Sequence, residues 1–297
     1  MTTAYFPDCF SHSSHSLRFS NSLRTVLSWV LVCWGAFAPV LAVADSKSEL
    51  VDQVFVQSGL AHVMSQFPEL LKAGVESGAK SDNEMASREV VRLKRIIDEA
   101  FDVQAISQDL RLRLHELSED DLQAVLSWYR SPLGEKVLQL EKAANQVSAM
   151  EEMNERVLAL QKQFRGTVRE RLFVRYDKAT GATEATVETS LAIQRALVGA
   201  FVSGEEGQND YEQLVKMIDA NRFMISGLVG QQVYTSYLYS YASLADEEVE
   251  QYIRFAESPS GQRFFALLNN SLREILMAPS KLIGQRIMSD FSDSSPP

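Results

Sequence analysis

The chain has 297 residues, 45% hydrophobic and 23% charged, with 29 basic against 39 acidic side chains and a formal net charge of −10. That balance excludes a disordered tail and a basic nucleic-acid binder and points to a folding-competent, acidic protein. With only 2 Cys and 4 His, and no long apolar run after Ala44, a disulfide scaffold, a Cys/His metal cluster and a polytopic membrane protein are excluded as well.

The stretch from Thr25 to Ala44 is almost wholly apolar, follows Arg18 and Arg24, and ends in Ala42-Val43-Ala44 ahead of the polar Asp45-Ser46-Lys47. This is the small-x-small pattern that a signal peptidase cuts, so residues 1–44 are predicted to be a signal peptide cleaved after Ala44, with the remainder periplasmic. The alternative is an uncleaved anchor, against which stand Pro39 and the small residues at the end of the run. Cys33 lacks the small residue that a lipobox needs before its Cys. Cleavage removes Cys9, Cys33, His12 and His15, which leaves a cysteine-free chain with His62 and His115 as its only histidines. Thiol nucleophiles and thiolate metal sites go with them, and no cofactor is expected.

Along the mature chain glycine and proline are scarce, and helical spacing is found almost everywhere. Val90, Leu93, Ile97 and Phe101 give one helix face over Asn83 to Phe101; Leu122, Val125, Leu126 and Tyr129 give another. Met150, Met153, Val157, Leu160 and Phe164 form a seam that lasts about two heptads. Breaks are predicted at Phe67-Pro68, Gly78 to Asp82, Ser131-Pro132, Thr180-Gly181, Ser203 to Gly207 and Ser258-Pro259. The prediction is an all-α helical bundle of roughly eight to ten helices. Its expected divisions are a first helical unit at 45–180, a second at 181–288 and a disordered tail at 289–297. A single bundle threaded from both halves is the alternative to two units.

Leu117 to Glu141 aligns without gaps on Leu244 to Leu268, at a constant offset of 127 residues (Leu117 to Leu244). The identities are Leu117/Leu244, Ser131/Ser258, Pro132/Pro259, Gly134/Gly261 and Leu140/Leu267, while Trp128 answers to Phe255 and Lys136 to Arg263. Acids open both copies, Glu119 to Asp121 and Asp246 to Glu248, where they meet the positive end of the helix dipole. Ser131 then serves as N-cap with Pro132 at N1, as Ser258 and Pro259 do in the second copy, and Gly134 and Gly261 leave room for close approach. Each copy therefore predicts a tight helix–helix corner.

The run Leu117 to Leu122 followed by Trp128-Tyr129-Arg130-Ser131-Pro132-Leu133-Gly134 resembles the hallmark of the bacterial domain-of-unknown-function family 2059, and Gly59-Leu60 after Leu50 to Ser58 is similar to its opening helix. The second copy departs from the pattern, with Phe255-Ala256-Glu257 where an aromatic pair and a basic residue are expected. The resemblance implies an exported helical protein and supplies no activity.

Chemistry is hard to place elsewhere. His115 with Glu116 and Glu119 lacks the second His of a metalloprotease helix, and Ser226-Gly227-Leu228-Val229-Gly230 has neither nucleophile-elbow nor phosphate-loop spacing, so helix packing through Gly227 and Gly230 is expected. Trp128, Tyr129 and Arg130, residue types favoured in binding hot spots, and the stripe Tyr234, Tyr237 and Tyr241 are the predicted interaction surface, although a stripe of this kind is more often core or half-buried. Arg165, Arg169, Arg171 and Arg175 form a basic stretch that either meets an acidic surface or is a solvated helix face. The expected function is non-enzymatic binding, as an adaptor for a cell-envelope protein. The alternative is a carrier of a lipid or acyl chain, enclosed between the Tyr234–Tyr241 face and the Met150–Phe164 seam. Nucleic acid is not an expected partner, and no integral membrane span is expected after cleavage.

Overall fold

The computed structural model describes residues 47–81, 87–201 and 205–293. The predicted signal peptide, with its cleavage point after Ala44, lies outside them, as do Ser203 and Gly204 of the Ser203 to Gly207 break, whose other residues lie in the helix that starts at Glu205. The described residues form thirteen helices and no strand, which makes the protein all-α. In chain order they are α1 (Lys47–Gln57), α2 (Leu60–Ser81), α3 (Ser87–Ala100), α4 (Val103–Leu114), α5 (Glu119–Tyr129), α6 (Pro132–Ala144) and α7 (Val147–Phe164). There follow α8 (Val168–Thr180), α9 (Ala182–Phe201), α10 (Glu205–Ala220), α11 (Arg222–Ser240), α12 (Asp246–Glu257) and α13 (Pro259–Asp293).

Local chemistry sets the ends of several helices. Asp102 caps α4 by accepting from the amides of Gln104 and Ala105, both at 3.0 Å. Gly181 takes φ of +66° to close α8, a conformation that costs other L-residues dearly, and its amide donates to Asp177 O at 2.7 Å. Three expected boundaries do not end a helix. α2 runs through Pro68 and on through the expected Gly78 break to Ser81, and α13, which also contains Pro279, continues through the expected tail as far as Asp293, with 294–297 outside the described residues. Each proline sacrifices an amide donor. Phe67 and Leu71, on either side of Pro68, are buried, and Phe67 meets Phe101 at a 5.2 Å ring separation, so tertiary contact holds the helix across the break.

Both corners have the same construction. Ser131 Oγ accepts from the Gly134 amide at 3.0 Å, and Ser258 Oγ from the Gly261 amide at 3.1 Å. A Cβ on Gly134 would strike the Trp128 carbonyl oxygen and stand 2.9 Å from Tyr129 Cα; one on Gly261 would strike the carbonyl of Phe255. The second helix of each corner thus folds back onto the last turn of the first, at a distance only glycine permits.

Positions aligned between the corners then meet reciprocally. Arg263 donates to the Asp121 carboxylate at 2.8 Å, and Lys136, which aligns with Arg263, donates to Glu248, which aligns with Asp121, at 2.7 Å. The aligned rings Trp128 and Phe255 stack on each other, centroids 4.4 Å apart and planes 14° from parallel. Residue i meeting j while j′ meets i′ is the contact pattern of a two-fold interface, here within one chain. The main hydrophobic cluster accordingly draws on residues from Val51 to Ile275, on both sides of Gly181. Gly181 is a turn between α8 and α9 inside that cluster; it does not divide two cores.

Arg263 holds the Asp121 carboxyl well below its ordinary range, with further hydrogen bonds from Ser260 and Ser118. Asp121→Asn is therefore expected to lower unfolding stability by about 1.5–3 kcal/mol at neutral pH. A depressed folded-state pKa contributes stability above the unfolded value, so the deficit should shrink as pH falls below about 3.9. Urea unfolding against pH checks both. Gly134→Ala and Gly261→Ala should each cost about 1–3 kcal/mol, and a wild-type urea midpoint in either would contradict the close approach.

Candidate functional site

A second, smaller hydrophobic cluster lies beside the main one and leaves a half-open groove among α2, α3, α9 and α13. Three stripes at helical spacing supply most of its wall: Phe67, Leu71 and Val75 from α2; Leu93, Ile97 and Phe101 along and just beyond α3; Leu276, Ser280, Ile283 and Ile287 from α13. Ile193 and Leu197 of α9 add to it. The cavity volume is about 80 Å³. Its single hydroxyl, Ser280 Oγ, donates to Leu276 O of its own helix at 2.6 Å, so it directs no free polar group into the space. Behind Phe67, Phe101 and Leu276 a smaller void of about 10 Å³ continues between α2 and α13, bounded also by Met64 and Ile275. Water entering such spaces finds none of the two to four polar partners it needs, which makes the groove a site for apolar matter.

Most of the expected interaction surface is interior. Tyr129, Tyr237 and Tyr241 are buried, with relative exposures of 0%, 2% and 1%. The reason is the corner packing: Trp128, itself half-buried, stacks on Phe255 and on Tyr252, while Tyr129 sets its edge against Phe255 and Phe264. Arg130 reaches outward but is tied to α1, donating to Gln57 Oε1 at 3.1 Å and Gln53 Oε1 at 2.7 Å. Tyr234 is partly buried against the main cluster. The groove of the carrier alternative does not lie between the Tyr234–Tyr241 face and the Met150–Phe164 seam either, because α7 and α11 pack directly together there, with Gln161 Nε2 donating to Thr235 Oγ1 at 3.2 Å and Tyr239 OH to Glu152 at 2.8 Å. Of the two glycines expected in helix packing, Gly230 faces Thr183 Cγ2 at 3.7 Å, whereas Gly227 faces open space.

The basic stretch is also partly internal. Arg169 is buried and fastens the turn before α12, donating to Asp246 Oδ1 at 2.6 Å and to Tyr241 O at 2.9 Å. Arg175 forks onto Glu257, with its Nε 2.6 Å from Oε1.

Glu141 sits at the centre of the tyrosines, 1% exposed. It accepts from the OH of Tyr241, just past α11, and, at 3.1 Å, from Tyr252 OH of α12, and so joins α6 to the second corner. Burial pushes its carboxyl well above the ordinary carboxylate range, against the lowering effect of the two hydroxyls. Burial, with the nearness of Glu141, likewise raises the hydroxyls of Tyr129, Tyr176, Tyr241 and Tyr252 well above the usual tyrosine range. Such a cluster is closed to solvent and disfavours ionisation of its carboxyl and hydroxyls, which suits it to hold helices in register. Among the described residues no group of three or more His, Cys, Asp or Glu is placed to hold a metal, and no helix is long and apolar enough to cross a membrane.

Residues 114–163 match the bacterial domain-of-unknown-function family 2059, whose description is "uncharacterized protein conserved in bacteria". The matched segment runs from the end of α4 almost to the end of α7 and contains the first corner with Trp128, Ser131, Pro132 and Gly134, the residues that carry the resemblance in the sequence. No curated protein and no solved structure matches the chain.

Glu141 yields a pH prediction. With its folded pKa raised, the folded state binds more protons than the unfolded state between about pH 4.3 and that raised value, so this group makes stability fall as pH rises through the window, by up to about 1.4 kcal/mol per unit. Glu141→Gln is neutral at every pH and keeps an acceptor for Tyr241 and Tyr252. The variant should match the wild type near pH 4 and exceed it progressively above, and parallel stability–pH curves would show that Glu141 is ionised in the fold.

Proposed function

We propose that this is a non-enzymatic binding protein of the bacterial cell envelope, exported by a signal peptide cleaved after Ala44, which holds the apolar part of a partner in the groove among α2, α3, α9 and α13. The observation that supports this reading is the groove itself. It is a half-open space lined almost wholly by aliphatic and phenyl groups. Leaving such surface uncovered has a cost of about 25 cal/mol for each Å² of apolar area exposed, and a guest removes it. The signal-peptide pattern that ends at Ala44 and the match to a bacterial family at 114–163 support the envelope as its location.

The adaptor reading rests on a different face. On α11, Phe223 is 90% exposed, Met224 and Leu228 are exposed beside it, and Gly227 between them has nothing within 4 Å of where a Cβ would stand. An exposed aromatic, a methionine and a leucine around an open glycine suit the approach of another protein's helix.

The reading is tested on protein purified from its own envelope without detergent. Native mass spectra are expected to show a chain beginning at Asp45 with an added mass that organic solvent releases. Photo-crosslinkers placed at Leu93 and Ile283 should capture that guest, and one placed at Leu228 reports on the adaptor face. A bare chain, with no adduct at the two groove positions, overturns the groove as the binding site.

A further inference from the structure

We propose that the groove takes a single unbranched alkyl chain, and that it reads the length of this tail while leaving the head group in water. The proposal rests on the binding role assigned to the groove above and names the chemistry of the guest.

Size decides against bulkier guests. An α-helix with its side chains is about 10 Å across, and a space of about 80 Å³ does not enclose one. Its shape favours a chain. Phe67 to Val75 spans about 12 Å along α2 and Leu276 to Ile287 about 16 Å along α13, so the wall is long relative to its volume. Phe67, Phe101 and Leu276 line both this space and the smaller void.

Chemistry decides against an extended peptide. The backbone of a strand laid in the groove would bring amides and carbonyls against a lining whose only hydroxyl, Ser280, is already bonded within its own helix. An unpaired peptide group there is penalised, whereas a methylene is not. The same reasoning places the head outside. Lys94, Arg195 and Arg286, which flank lining residues of α3, α9 and α13, already meet carboxylates: Lys94 with Glu76, Arg195 with Asp219, and Arg286 with Glu99 at 3.5 Å. A carboxylate or phosphate head arriving at that rim has to displace an existing partner, so discrimination falls to the tail.

The experiment uses the full mature chain, stripped with organic solvent and refolded, and two ligand series below their micelle thresholds: saturated fatty acids and the fatty alcohols of equal chain length. Displacement of a fluorescent alkyl probe is read against wild type and against Leu93→Trp and Ile283→Trp, which fill the rim. Affinity is expected to rise about three- to fourfold for each methylene added, in parallel for acids and alcohols, until the chain outruns the groove. Both filling variants should lose that dependence while keeping the wild-type circular dichroism. Where a variant fails to fold, the parallel slopes of the two wild-type series decide. A more than tenfold difference between acid and alcohol of one length, or affinity flat with chain length, overturns the tail-reading proposal. If neither series binds but the crosslinkers at Leu93 and Ile283 capture a protein, the alkyl guest is wrong and the groove's binding role stands. If those crosslinkers capture nothing as well, both fall.

Discussion

The stack of Trp128 on Phe255 is the contact around which the rest is arranged. Each ring ends a helix that must turn immediately at a Ser-Pro step, and each turn closes only because a glycine lets the next helix touch the preceding carbonyl. A tight corner in one copy sets where its acid and its base stand, and the stack sets where the other corner lies. Asp121 then faces Arg263 as Glu248 faces Lys136. The two pairs differ in strength: the Asp121 carboxylate is buried, so its partner Arg263 matters to stability, whereas Lys136 and Glu248 are both partly exposed and such a pair adds little in water. Their value is in direction: opposite charges at both ends of a flat aromatic stack fix its register against sliding.

Around that junction the interior is polar to an unusual degree, and the polarity is organised. Glu141 belongs to the first corner and takes its hydrogen bonds from Tyr241 and Tyr252, which flank the start of the second. Arg169 ties the turn between those tyrosines to α8. A fully apolar core of the same volume would be no less stable, but it would allow α11 and α12 to settle in several registers; buried hydroxyls with one good acceptor allow fewer. The cost is a buried carboxyl whose ionisation is disfavoured.

How much of this was legible follows the range of each interaction. The corners read directly, because Ser131, Pro132 and Gly134, like Ser258, Pro259 and Gly261, act on residues two to six positions away. The all-α class read directly for the same reason: periodicity is local. Tyr129 reads as surface and Tyr237 and Tyr241 as either core or surface, because spacing shows that residues share a face and is silent about what that face meets. Here it meets Phe255, Tyr176 and Tyr252. Pro68 looked like a helix end, but the burial of Phe67 and Leu71 against distant Phe101 outweighs one lost amide donor. The groove had the weakest signal of all. Leu93, Ile97 and Phe101 were visible as a stripe, yet a void arises only where four stripes fail to meet, and no local pattern records a failure to meet.

The helix α13 connects the two regions. It starts at the second corner, where Pro259 and Gly261 seat it, buries Phe264, Phe265 and Leu268 in the main cluster, and then passes Leu276, Ser280, Ile283 and Ile287 along the groove. Pro279 stands where its role changes from core to wall, and leaves the carbonyl of Ile275 without the usual helical donor at the point where the smaller void begins. The corner end is fixed by an aromatic stack, charged pairs and a close backbone contact; the groove end is held by aliphatic contact, the Phe67–Phe101 ring pair and partly exposed ion pairs at the rim, around a void that leaves part of the wall without packing partners. Opening at low free-energy cost therefore concentrates at the groove end, while the corner stays in place. A guest chain entering there would gain contact with a wall able to adjust, anchored by a helix whose other end is not.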